Sequence, residues 1–117
     1  PPIAFVPGTA REDGFSFDGA AGQFAFPAQV AAPPSGTAIT LGIRPEDFSP
    51  QGELKLSGKV AFIETQGREN LYDVALPSGA ILRSIQPVRH DIGVGDAVHW
   101  GIHADKMMVF GADGSRL

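Results

Sequence analysis

His99 and His103, Ser57 and Lys59, and Glu46 and Asp47 are the residues of this sequence whose types and spacing could do chemistry. The two histidines are spaced i, i+4, as two zinc ligands on one helix face can be. Apolar and polar residues alternate around them, so the spacing falls on a strand. Four residues of strand span about 13 Å, too far for both rings to hold one ion. His90 lies in a separate segment. Metal ligands must converge, so polar-face histidines are expected and no metal site. Ser57 and Lys59 share one face of a strand, but no acid partner or oxyanion hole accompanies them, and a surface pair is expected. Glu46 and Asp47 could serve as general acid and base, yet adjacent acids at a turn more often cap or solvate it. Gly93-Val94-Gly95 is followed by neither Lys-Ser/Thr nor a helix, which makes it a β-turn and not a phosphate loop. No catalytic constellation results. The chain on its own is expected to be no enzyme and to hold no cofactor.

The composition agrees. In 117 residues there are 9 Lys plus Arg, 13 Asp plus Glu and no Cys, for a formal charge of −4. A nucleic-acid partner usually needs a basic stripe, so none is expected. Without Cys there is no disulfide framework and no thiolate site. Hydrophobic residues make up 43% and charged ones 19%, enough apolar content for a core and too much for a disordered chain. No stretch approaches the roughly 18 apolar residues of a membrane span. The sequence opens Pro1-Pro2, with no initiator Met and no basic, then apolar, secretory start. A fragment of a longer polypeptide is therefore expected.

The elements that must position these residues are strands. Gly and Pro number 15 and 10, and they fall too regularly for long amphipathic helices. The apolar period is near two. Ile39, Leu41 and Ile43 alternate with polar or small residues. Leu54, Leu56, Val60 and Phe62 are expected on one face, with a bulge or sharp coil at Gly58 in that row. Tyr72 and Val74 alternate with Leu71, Asp73 and Ala75. Val98, Trp100 and Ile102 alternate with His99, Gly101 and His103. Pro77-Ser78-Gly79 marks a hairpin over residues 70–85. Gly93-Val94-Gly95-Asp96 precedes the Trp100 strand, and Ala112-Asp113-Gly114 closes the last one. Arg44-Pro45-Glu46-Asp47-Phe48 predicts a single helical turn, with Pro at the first helical position and acids behind it.

Pro33-Pro34-Ser35-Gly36 is the strongest internal break. It divides an N-terminal β lobe, residues 1–32, from a better patterned barrel region, residues 38–117. Phe5, Phe15, Phe17, Phe24 and Phe26 stand at strand spacing in the lobe. About 30 residues cannot bury a core alone, so the lobe is expected to pack on the rest within a single domain, 1–117. Short strands with turn signals between them indicate an all-β barrel or sandwich.

Several motifs, in order, resemble one family. Leu41-Gly42-Ile43-Arg44-Pro45-Glu46-Asp47 is similar to the "GIRPE" signature of the C-terminal domain of ATP-binding subunits of sugar-type ABC importers, the maltose and glycerol-phosphate transporter kind. That module is the TOBE domain, an OB-like barrel. Gly58-Lys59-Val60 and Ile63-Glu64-Thr65-Gln66-Gly67 resemble its "G-x-V…V-E-x-x-G" stretch, and Asn70-Leu71-Tyr72-Asp73-Val74 follows as its next strand. Gly95-Asp96-Ala97-Val98 resembles its "G-D-x-V" entry to a late strand. Residues 109–117 resemble its closing "h-h-F-D-x-x-T-G-x-R-L". Pro2-Ile3-Ala4-Phe5-Val6-Pro7-Gly8 resembles the opening "P-x-M-N-F-x-x-G". Ile3 and Ala4 depart from that pattern where Met and Asn are usual, Gly111 stands in place of Asp, and segment 9–37 has no residue-level match.

The resemblance implies a small OB-like barrel of the TOBE or MOP type with an additional N-terminal β lobe. It implies a parent whose missing N-terminal domain binds ATP and Mg, while this chain serves as a non-catalytic regulatory and dimerisation domain for carbohydrate import. The implied partners are that ATPase domain, a second copy of the chain and the transporter's membrane subunits, and no nucleic acid. The implied location is cytoplasmic, peripheral on the inner face of the membrane. Within it Arg44, Pro45 and Glu46 form the decisive corner: a contact with the other lobe or the ATPase domain, or an internal Arg44 to Glu46 pair that fixes the turn. Glu64 and Gly67 are expected to shape a bulge or turn. Two alternatives stay open. One is an oxyanion-binding barrel, since Leu56-Ser57-Gly58-Lys59-Val60 resembles the opening strand of molybdate-binding relatives. The other is a single-strand nucleic-acid binder, against which the charge of −4 counts.

Overall fold

Alternating burial appears where the sequence alternates, and among the described residues it builds nine strands. A computed structural model describes residues 3–26, 28 and 30–117. The Pro1-Pro2 start, and with it the first residue of the opening motif, lies outside these residues. The strands are β1 (Ala4–Ala10), β2 (Gly14–Phe17), β3 (Phe24–Ala25), β4 (Ala38–Ile43), β5 (Leu54–Gln66), β6 (Glu69–Ala75), β7 (Ile81–Pro87), β8 (Ala97–Ile102) and β9 (Met108–Phe110). Single helical turns at Pro45–Asp47 and Ala104–Lys106 link β4 to β5 and β8 to β9. The expected turn after Ile43 therefore forms, with Pro45 buried at its start.

All pairings are antiparallel, in two sheets ordered β3-β2-β1-β4-β9 and β7-β6-β5-β8. Their inner faces share one core, from Val6, Phe15 and Leu41 to Tyr72, Leu82 and Trp100. The Pro33-Pro34-Ser35-Gly36 turn does not separate the sheets. Six residues of β4 pair with β1, Ala4 opposite Ile43 through Thr9 opposite Ala38. The N-terminal strands thus join the rest edge to edge, through backbone hydrogen bonds.

Strand β5 departs from the expected pattern. Its register against β6 shifts between Val60 and Phe62, so the bulge sits at Ala61 and not at Gly58. An extra residue reverses the phase of the strand. Phe62 turns outward and is 49% exposed instead of sharing the core with Val60. Gly58 has a different task. A Cβ there would lie 2.5 Å from Val74 Cγ1 and 2.8 Å from the Ala75 carbonyl oxygen, so β5 crosses β6 too closely for a side chain.

Candidate functional site

The connector between β4 and β5 is where the chain passes from one sheet to the other, and it carries the Arg44-Pro45-Glu46 corner. Arg44 is extended, with φ −83° and ψ 147°, as a residue before Pro must be. Pro45 then starts the helical turn, closed by the Asp47 N–H donating to the Arg44 carbonyl at 3.0 Å. Ile43 and Pro45 point inward, while Arg44 and Glu46 point to solvent. Arg44 meets Asp47, Nη1 to Oδ2 at 3.9 Å, and not Glu46 as one reading of the corner had it. One helical turn sets residues i and i+3 on the same side. Glu46 has no ion-pair partner among the described residues.

The connector is held down at Phe48, which is wholly buried. Its ring meets Trp100 edge to face at 6.1 Å, and Trp100 meets Tyr72 at 5.2 Å. The Phe48 carbonyl accepts a short hydrogen bond from the Ser84 hydroxyl. Further along, Ser49 and Gly101 exchange backbone bonds of 3.0 and 2.8 Å.

Ser84 belongs to a block of four buried polar side chains that sequence reasoning missed. Asn70 lies opposite Gln86, and Tyr72 opposite Ser84, in the β6 to β7 register. Gln86 Nε2 donates to Ser84 Oγ at 2.8 Å, and Asn70 Nδ2 donates to the Tyr72 hydroxyl at 3.1 Å. Asn70 Oδ1 is buried and accepts no hydrogen bond among the described residues. A signal was present: Ser84 and Gln86 occupy the inward phase that Leu82 begins, where an alternating strand would carry apolar residues.

Glu64 and Gly67 stand apart from the corner, in the β5 to β6 hairpin. No hydrogen bond or ion pair among the described residues joins the two groups. Gln66 pairs with Glu69 across a two-residue loop, and Gly67 has φ +68°. Glycine at the first loop position with positive φ is the type II′ hairpin turn. Glu64 lies opposite Leu71 and accepts weakly from Gln66 Nε2 at 3.5 Å.

The residues with chemical potential are dispersed. His99 Nδ1 shares a 2.7 Å hydrogen bond with Ser57 Oγ on the neighbouring strand. Ser57 and Lys59 border a shallow cavity of about 400 Å³. His103 turns to Glu53 instead, Nδ1 to Oε2 at 3.3 Å. The Glu53 carboxyl is held below its ordinary range, first by the Ala104 N–H at 2.9 Å and then by His103. No group of three or more His, Asp or Glu among the described residues is placed to hold a metal ion. No helix among them is long and apolar enough to cross a membrane.

Two family models match the chain, a TOBE domain over residues 41–110 and a MalK OB fold domain over residues 1–48. The lactose transport ATP-binding protein LacK of Rhizobium radiobacter is 34% identical over 91 residues, covering 74% of this chain. The chain spans 25% of that relative's length.

Proposed function

This chain belongs to the TOBE domain family, and from that membership we propose that it is the C-terminal domain of the ATP-binding subunit of a carbohydrate ABC importer. One observation carries the reading. The two family models cover the chain in sequence and overlap at residues 41–48, on the end of β4 and the corner. The start of one of the two connections between the sheets is thus common to both models. The similarity to a lactose transport ATP-binding protein supplies the carbohydrate class.

In this reading the parent's nucleotide domain binds ATP and Mg, and this chain is a non-catalytic regulatory and pairing module beside it. Its partners are that domain, a second copy, and the membrane subunits, at the inner face of the membrane. A stiff barrel suits a contact that must persist while ATPase domains open and close. Arg44 and Glu46, turned outward on a corner fixed by Pro45 and Phe48, are suitably placed for such a contact. Pairing of isolated domains would be weak, because in the parent it is helped by high effective concentration.

An antibody raised against the chain tests the reading on blots of fractionated source cells. The expected band is several times heavier than 12.3 kDa and partly in the membrane fraction. A soluble band of the chain's own mass would overturn it. The Ser57, Lys59 and His99 grouping favours a second reading, an oxyanion-binding module, which saturable molybdate binding would promote.

A further inference from the structure

We propose that the cleft between the β4 to β5 connector and the end of β7 binds a small neutral polyhydroxylated molecule, a mono- or disaccharide or a related polyol. The proposal concerns this chain's own residues and does not depend on what the chain is attached to.

The cleft measures about 580 Å³, within the range of small-molecule sites. Glu46, Ser49 and Gln51 form its connector wall, and Gln86 and Arg89 form the β7 side. Glu46 is the acid that the corner leaves without an ion-pair partner among the described residues. Arg89 already spends Nε and Nη2 on Asp91, at 3.1 and 2.9 Å. Its charge is thereby balanced, so the unpaired Glu46 is set only against the Lys55 ammonium, which rests on the Pro50 carbonyl at 2.6 Å. Among the lining residues no cation is left free to hold an anion. A hydroxyl both donates and accepts. It matches acceptor-only Glu46, donor-only Arg89, the two glutamine amides and the Ser49 hydroxyl without bringing charge. Pro50 and Val88 add apolar surface for the carbon face of such a ligand.

A second observation is independent of the cleft wall. Directly across the register from Gln86 is Asn70, only 4% exposed, whose Oδ1 accepts nothing. Buried acceptors are normally satisfied. Gln86 is 6% exposed and tied by one bond to Ser84. Gln86 thus links the cleft wall to a buried polar block that keeps an unmet acceptor among the described residues.

Trp100 is the single tryptophan and touches Tyr72 of the same block, so binding is read from its fluorescence and, directly at the cleft, from the heat of titration. The chain should be titrated with glucose, lactose, glycerol and inorganic phosphate, alongside Glu46→Gln and Gln51→Ala. Both substitutions are at exposed connector positions. The expected result is a saturable change with at least one of the three polyols, at about 1 mM or below, weakened about tenfold or more by each substitution. Phosphate should have no effect. A lack of saturation with all three polyols overturns the proposal. So does saturation that both variants leave unchanged, which places binding elsewhere. Phosphate saturation lost in the same variants overturns the ligand class. None of these outcomes alters the mass on the blot, so the two readings fail separately.

Discussion

The two sheets solve the same packing problem with different materials. The inward residues of the five-stranded sheet are apolar, and its end is closed by aromatic pairs: Phe15 with Phe17 at 5.7 Å, Phe15 with Phe26 at 4.6 Å and Phe17 with Phe24 at 5.5 Å. In the four-stranded sheet, β6 and β7 bury Asn70, Ser84 and Gln86. An unmet buried acceptor such as Asn70 Oδ1 costs about 1–3 kcal/mol, against a total stability of about 5–15 kcal/mol for a domain. Packing alone would favour leucine or valine there. Departures of this kind collect where a fold does more than stand up. The five-stranded half is held by apolar packing alone, and the four-stranded half sets a hydrogen-bonded polar block into its core at the connector end.

The largest expected effect tests the scaffold. Phe15 is wholly buried between Phe17 and Phe26. Phe15→Ala should lose about 3–5 kcal/mol in urea denaturation, the usual range for emptying an aromatic core site. A loss below about 1 kcal/mol would mean that this sheet is not held by packing, and the contrast between the halves would collapse.

A smaller effect tests the polar block. Ser84→Ala barely changes volume, yet it removes the donor to the Phe48 carbonyl and the acceptor for Gln86 Nε2. The expected loss is about 1–3 kcal/mol, read from the midpoint of Trp100 fluorescence in denaturant. Unchanged stability would show that the connector is held by the Phe48 ring alone. Sharper still is a double-mutant cycle at Asn70 and Tyr72. Tyr72→Phe leaves Asn70 Nδ2 without its acceptor and should cost about 1 kcal/mol. Asn70→Leu combined with Tyr72→Phe removes donor and acceptor together. It should fall within about 1 kcal/mol of the parent or exceed it. A strictly additive loss would contradict the Asn70 Nδ2 to Tyr72 hydrogen bond.

What the sequence disclosed, and what it did not, follows from the period-two pattern. Alternation states which face of a strand is buried but not which strand lies beside it. Ile39, Leu41 and Ile43 announced β4, yet nothing in them says that β4 lies between β1 and β9. The Ala61 bulge was invisible because Val60-Ala61-Phe62 carries no glycine. A rule that places bulges at glycine chose Gly58, which serves a close crossing instead. At the corner, Pro45 with Glu46 and Asp47 behind it gave the turn from sequence alone, since a fixed φ, a missing N–H and acids in the first turn together suit a helix start. The partner of Arg44 depended on side-chain direction around that turn, and adjacent acids hid it. The polar block escaped because the strand pattern was sought in apolar residues only.

The smallest expected effect tests how the halves are joined. Glu53 precedes β5 in the four-stranded sheet, and its carboxylate accepts the Ala104 N–H in the turn that leads to β9 of the other sheet. That bond is the first cause of its lowered pKa, and the His103 contact is the second. A carboxyl depressed on folding contributes its full stabilisation above its ordinary value of 4.5. That contribution is lost as the pH falls through the lower folded value. Asp91 and Asp113 are depressed in the same direction, the first by Arg89 and the second by Ser115. Both stand in solvent, so their contributions have the same sign and are small. Glu53→Gln keeps an acceptor oxygen for Ala104 but cannot ionise. Its stability should lie slightly below the parent's at neutral pH, and the two should converge as the pH falls below 4.5 and the parent loses its carboxylate. Denaturant midpoints of both proteins over that range decide the matter. Parallel curves would mean that Glu53 stands in solvent in the folded state, and that backbone and core contacts alone hold the β8 to β9 turn against the second sheet.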